Sequence, residues 1–86
     1  MDMKSLIKYE ANWCVPCKRM TPIVEEVLSE MEGVVLEKVD IDENREKAVE
    51  NNVRSVPTFV LVEDGVELKR QSGMMTREEL KQFIAG

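Results

Sequence analysis

Both cysteines of this 86-residue chain stand in one short stretch, Trp13-Cys14-Val15-Pro16-Cys17-Lys18, between a strand-like run and an amphipathic pattern. That position restricts the fold, because the pair must sit where a strand hands over to a helix. A Cys-x-x-Cys pair at a helix start brings its sulfurs within bonding reach, the first keeping solvent access and the second turning inward. A thiolate there meets the free N–H groups and partial positive charge of the helix N-terminus, which lowers a thiol pKa below its free value of about 8.5. The expected result is a nucleophile at neutral pH.

The surrounding periodicities supply the element order. Lys4 to Tyr9, with Leu6, Ile7 and Tyr9, reads as a central strand in which Lys8 is the anomaly. From Pro16 to Glu32 the residues Met20, Ile23, Val24, Val27, Leu28 and Met31 recur at helical spacing, with Glu25, Glu26, Glu30 and Glu32 opposite them. Gly33 is expected to end this helix as a left-handed cap, and Pro22, which lacks a backbone donor, to kink it. Val34 to Ile41 predicts a second strand, followed by a helix across Glu43 to Asn51 with Asp42 as its N-cap.

Asp64-Gly65 between Thr58–Val62 and Val66–Arg70 predicts a hairpin. Its second strand alternates apolar with charged residues and carries Lys69 and Arg70, which suits a sheet edge. Thr76-Arg77-Glu78-Glu79 has the capping-box pattern and opens a last helix with Leu80, Phe83 and Ile84 as its buried stripe. The order is βαβαββα, an α/β arrangement. One domain over residues 1–86 is expected, since a chain of this size buries only about 60% of its unfolded surface and has no room for a second core.

Composition removes several function classes. With 17 acids against 12 bases, a phosphate backbone or an anionic membrane is not expected as the main partner. Met1 to Lys8 contains no apolar run long enough for a secretion signal, and nothing later approaches a membrane span, so the cytosol is the expected compartment. In a reducing cytosol a disulfide is seldom structural, and two closely spaced cysteines are expected to cycle between dithiol and disulfide.

Two cysteines and no histidine do not complete a four-ligand zinc site within one chain, and the same absence excludes Ser-His and Cys-His catalytic pairs. Asp40, Asp42 and Asn44 mimic a calcium loop. Arg45, however, stands where the sharp turn needs glycine, and Asn51 where a bidentate glutamate is required.

Taken together, the motifs resemble those of the thioredoxin family over nearly the whole chain. Trp13-Cys14-Val15-Pro16-Cys17-Lys18 resembles the family's Trp-Cys-Gly-Pro-Cys-Lys, with Pro22 at the helix-kink position. Val56-Pro57-Thr58 resembles its cis-proline loop, and Gly65 and Gly73 fall where the family has its hairpin and substrate-groove glycines. The resemblance implies a four-stranded mixed sheet in the order 2-1-3-4, flanked by three helices. Typical members begin with an additional strand and helix; this chain is similar to the short, glutaredoxin-like thioredoxins that lack them.

By the same resemblance the chain is a protein-disulfide reductase, an electron carrier in cell redox homeostasis. Cys14 and Cys17 are its catalytic pair and form its redox-active disulfide. Trp13, Val56, Pro57, Gly73 and Met74 line the groove that receives the substrate, and the Val56–Pro57 bond is cis. Met74 and Met75 are flexible, polarizable side chains suited to several partners, one of them free to pack in the core. The implied partners are disulfide-containing proteins and a thioredoxin reductase or equivalent donor. No cofactor or metal is implied, and a monomer is expected.

Three alternatives stay open at this point: a glutathione-using glutaredoxin, a thioredoxin-like binding subunit that does not use its thiols, and a dimer bridging a metal or cluster. Against glutaredoxin, Gly73-Met74 stands where those proteins commonly carry Gly-Gly.

Two positions depart from the family pattern. Val15 replaces the glycine between the cysteines. Lys8 stands where the family keeps a buried aspartate that manages the proton of the second cysteine, and Lys38 matches the lysine usually paired with it. Two buried like charges are physically implausible. The expectation is that the Lys8 stem lies under the cysteine turn while its ammonium reaches water, Glu10 or Asp40. There it would favour thiolate, or, if neutral, serve as the base for Cys17. The alternative is that Lys8 simply points to solvent.

Overall fold

Strand β1, Lys4–Glu10, is paired along both edges in the computed structural model, which describes residues 3–86. Met1 and Asp2, part of the stretch read for a secretion signal, lie outside the described residues. After β1 come α1 (Val15–Ser29), β2 (Val34–Asp40), α2 (Arg45–Glu50), β3 (Thr58–Glu63), β4 (Val66–Ser72) and α3 (Arg77–Ala85). The sheet order is β2-β1-β3-β4, with β1 parallel to β2 and antiparallel to β3, and β4 antiparallel to β3. Both the βαβαββα order and the 2-1-3-4 sheet are therefore as expected.

Alternation along the central strands divides the molecule into two layers. Leu6, Phe59 and Leu61 face α1 and α3, where they pack with Met20, Val24, Val27, Met75, Leu80, Phe83 and Ile84. Tyr9, Val39 and Val60 form a smaller cluster on the opposite face, supported by Ile7, Ile41, Val53, Val56 and Val62. Helix α2 lends little to it: Ala48 is its one buried residue, and Val49 is 68% exposed. Burying a full aliphatic side chain stabilises by about 1.5–3 kcal/mol, so the larger cluster supplies most of the hydrophobic stabilisation.

The hairpin closes as the sequence predicts, because Asp64 (φ 51°) and Gly65 (φ 83°) both take the left-handed conformation that a two-residue turn requires. The register shifts between Leu61 and Val62, and Leu68 is skipped in the pairing. Strand β4 is a sheet edge, and its Lys69 Nζ lies 5.3 Å from the centre of the Phe83 ring. The Thr76–Glu79 capping box is formed in both directions, at 3.1 and 3.0 Å.

Two helix boundaries differ from expectation. Helix α1 runs through Pro22 but stops at Ser29, with a right-handed C-cap at Glu30. Gly33 does have φ 75°, but it serves the entry into β2, where its carbonyl accepts from Lys4 N at 3.0 Å. Helix α2 begins at Arg45 after Asn44, so Asp42 is not its cap. The Asp40 carboxylate instead turns this loop, accepting from the Asp42 and Glu43 amides at 2.8 and 3.2 Å. Among the described residues no helix is long and apolar enough to cross a membrane.

Candidate functional site

The turn between β1 and α1 carries the cysteines. Cys14 is the N-cap residue of α1, with extended backbone (φ −90°, ψ 105°), and its Sγ accepts the Cys17 amide at 3.2 Å. Pro16 occupies the first turn of the helix, where no backbone donor is lost to the helical pattern. The two sulfurs are joined as a disulfide with Cα atoms 5.3 Å apart. In this oxidised state Cys14 is 4% exposed and Cys17 2%, so access alone does not separate them. Their hydrogen bonding does, since only Cys14 receives an N–H from the first helical turn.

Around the disulfide the two cysteines pack with Ala11, Ile41 and Val56. The Val56–Pro57 bond is cis, and the Pro57 carbonyl accepts from Gly73 N at 2.8 Å, tying the proline loop to the end of β4. Gly73 has φ 92°, a conformation that strains any side-chain-bearing residue. Pro57 is buried and Val56 and Gly73 are partly so, whereas Trp13 and Met74 are 66% and 46% exposed. Met75 belongs to the core, which decides which of the two methionines packs.

Sequence reasoning missed the partner of Trp13. Its indole N–H donates to Asp42 Oδ2 at 2.9 Å, so the residue taken for a helix cap anchors the exposed ring. An acid two residues beyond a strand end, on the loop facing the cysteine turn, was the available signal.

Lys8 is fully buried, which overturns the alternative that it points to solvent. Its Nζ donates to the Cys17 carbonyl at 2.8 Å and to Thr21 Oγ1 at 3.1 Å, and pairs with Glu10 Oε1 at 3.0 Å. An ammonium has three N–H donors, and three acceptors surround this one. Glu10, two residues along the same strand face and 26% exposed, is the acid it reaches; Asp40, the other acid considered, is engaged by its own loop.

Lys38 lies beside Lys8 in register but is exposed, so the two cations do not share a sealed site. Thr21, one helical turn after Cys17, had not been singled out. Next to this cluster is a cavity of about 80 Å³ lined by Glu10, Ala11, Asn12, Cys17, Lys18 and Thr21. Among the described residues no group of three or more acids and cysteines is arranged to hold a metal ion.

Comparison with known proteins agrees with this geometry. The thioredoxin family model matches residues 1–86. A thioredoxin of Chlamydia trachomatis is 39% identical over 80 residues, covering 93% of this chain and 78% of the relative. The solved thioredoxin of Fasciola hepatica superposes with a TM-score of 0.88 at 36% identity, covering 95% of this chain and 78% of that one. A mutant thioredoxin of Halobacterium salinarum gives 0.87 at 37% identity, covering 94% and 71%. With the Cys-x-x-Cys disulfide at a helix N-terminus beside a cis-proline loop, these matches show that the chain belongs to the thioredoxin family.

Proposed function

We propose that this thiol-disulfide oxidoreductase reduces protein disulfides with Cys14 as attacking thiolate and Cys17 as resolving thiol. The observation that carries the assignment is the Cys17 amide directed at Cys14 Sγ at the head of α1. In the dithiol form the same amide and the helix N-terminus favour negative charge on Cys14. Cys14 attacks a substrate sulfur, the substrate disulfide breaks, and a mixed disulfide remains. Cys17 then attacks Cys14, releasing reduced substrate and restoring the intramolecular disulfide. A reductase returns two electrons to it.

Exposed Trp13 and Met74, with Val56, Pro57 and Gly73 between them, form the surface that receives an extended substrate segment. The edge-like backbone of the proline loop offers hydrogen bonds without demanding a particular sequence. Lys8 acts from beneath: its cation holds the Cys17 carbonyl and favours thiolate in the first turn of α1. Our reading includes a single domain, a monomer and the cytosol.

Trapping separates the cysteine roles. Cys17→Ser should accumulate mixed disulfides with substrate proteins, and Cys14→Ser should accumulate few or none. Equal trapping, or the reverse order, would sink the assignment. Retention of the biological role after both cysteines are changed to serine would favour a binding subunit instead.

A further inference from the structure

Among the described residues two thioethers are exposed, Met3 at 54% and Met74 at 46%. Met20 and Met75 are buried, Met31 is partly so, and Cys14 and Cys17 are buried and bonded to each other. We propose that Met74 is a modification site, at which hydrogen peroxide converts the thioether to a sulfoxide and thereby weakens capture of the substrate chain. The inference rests on the groove reading above and adds a reversible chemical brake to it.

Both chain neighbours of Met74 are tied down. Gly73 N donates to the Pro57 carbonyl at 2.8 Å, and Val56 of the same loop packs against Cys14 and Cys17. On the other side Met75 N donates to Met20 Sδ at 3.5 Å, and Met20 lies on α1 about one turn beyond Cys17. The Met74 backbone is therefore held between the loop and the helix that frame the disulfide, while its side chain stands in water. Met20 and Met75 fill the core behind it, out of reach of an oxidant in solution. Met3 precedes β1, whose far end leads into the cysteine turn, and at about 3.3 Å per residue the strand sets it roughly 20 Å from the site.

In the disulfide state Met74 is the oxidisable thioether beside the site. With the cysteines joined there is no thiolate to consume the peroxide first. The Met74 sulfur lone pair takes one peroxide oxygen, and the O–O bond breaks with its electron pair on the departing hydroxide. Transfer of the remaining proton to that hydroxide leaves a sulfoxide and water. The thioether has lost two electrons and the peroxide has gained them. A flexible apolar side chain has become a polar one that holds its own hydration, so an apolar substrate residue no longer gains by covering it.

The test treats the oxidised full-length protein with hydrogen peroxide, removes the excess with catalase and locates sulfoxide by peptide mass spectrometry. Steady-state reduction of a protein disulfide is then measured. Met74 and Met3 should convert well ahead of Met20 and Met75. KM should rise about fourfold to tenfold, the equivalent of one or two methylene groups of lost apolar contact. Incubation with methionine sulfoxide reductases for both epimers, with dithiothreitol as electron donor, should return KM to the untreated value. Met3→Leu should show the same rise on treatment, and Met74→Leu should give one KM before and after peroxide.

Three results overturn the proposal: no sulfoxide at Met74 when Met3 has converted, an unaltered KM when Met74 has converted fully, or an equal rise in treated Met74→Leu. Met74→Gln, kept from oxidant, examines the groove by itself. A raised KM in that variant, with no response of the wild type to peroxide, leaves the groove standing and removes the modification site. A KM equal to that of the wild type removes Met74 from the groove and the proposal with it.

Discussion

The indole N–H of Trp13 and the Asp42 carboxylate, 2.9 Å apart, join the cysteine turn to the loop leading into α2. The bond holds a large apolar ring against the surface while leaving 66% of it exposed. Such a ring is positioned for a partner without having to be ordered on binding.

Asp42→Ala should therefore raise KM for a protein disulfide by about 2- to 10-fold, the range set by a net hydrogen-bond worth of about 0.5–1.5 kcal/mol. The maximal rate should change little. Trp13 is the only tryptophan, so its fluorescence anisotropy should fall in the variant. An unaltered KM together with unaltered anisotropy would show that the bond does not position the ring.

Lys8 and Glu10 should respond unequally to truncation. Glu10→Ala strands a buried ammonium and should cost about 3 kcal/mol. Lys8→Met keeps the apolar stem and leaves behind a carboxylate that already touches solvent, so its loss should be smaller. Urea unfolding of both variants, in the oxidised state, provides the comparison; the opposite ranking would contradict the burial argument.

Acid should weaken the fold partly through α3. The Glu79 carboxyl is held below its usual value of 4.5 by the Thr76 backbone N–H, with the Thr76 side chain assisting. A depressed folded pKa means stability present above the unfolded value and lost as pH falls through the folded one. Glu79→Gln keeps an acceptor at the cap but cannot titrate. The acid limb of its stability curve, measured below pH 4.5, should be shallower than that of the wild type.

Gly73→Ala tests the groove. No atom lies within 4 Å of the added Cβ, so the intramolecular cost is that of the backbone at φ 92°, about 1 kcal/mol. If substrate backbone approaches here, KM should rise further than this loss of stability accounts for. Steady-state kinetics well below the melting temperature would separate the two effects.

Features set by local chemistry were legible before the structure. Asp64-Gly65 encodes its own turn, Thr76 and Glu79 their own cap, and the stripe from Met20 to Val27 its own buried face. The site was legible where residues are sequence neighbours, as in Cys14 and Cys17. Glu10 as the Lys8 partner followed from the strand period, which puts them on one face.

What sequence did not disclose depends on packing. The carbonyl of Cys17 and the hydroxyl of Thr21 become acceptors for Lys8 only once α1 lies on β1. Similarly, Asp42 looks like a cap until the fold carries it to Trp13. Gly33 was misread because a positive φ serves strand entry as well as helix exit.

The unequal covering of the two sheet faces has a consequence for how the site breathes. Segments with few buried apolar contacts open at low free energy, ahead of global unfolding. Helix α2, with Ala48 as its single buried residue, is such a segment, whereas α1 is sealed to the sheet by Met20, Val24 and Val27. Cys14 and Cys17 thus ride on the side that opens last. The anchor of Trp13 sits next to the side that opens first, and amide exchange should be faster there than across the sulfur-bearing helix.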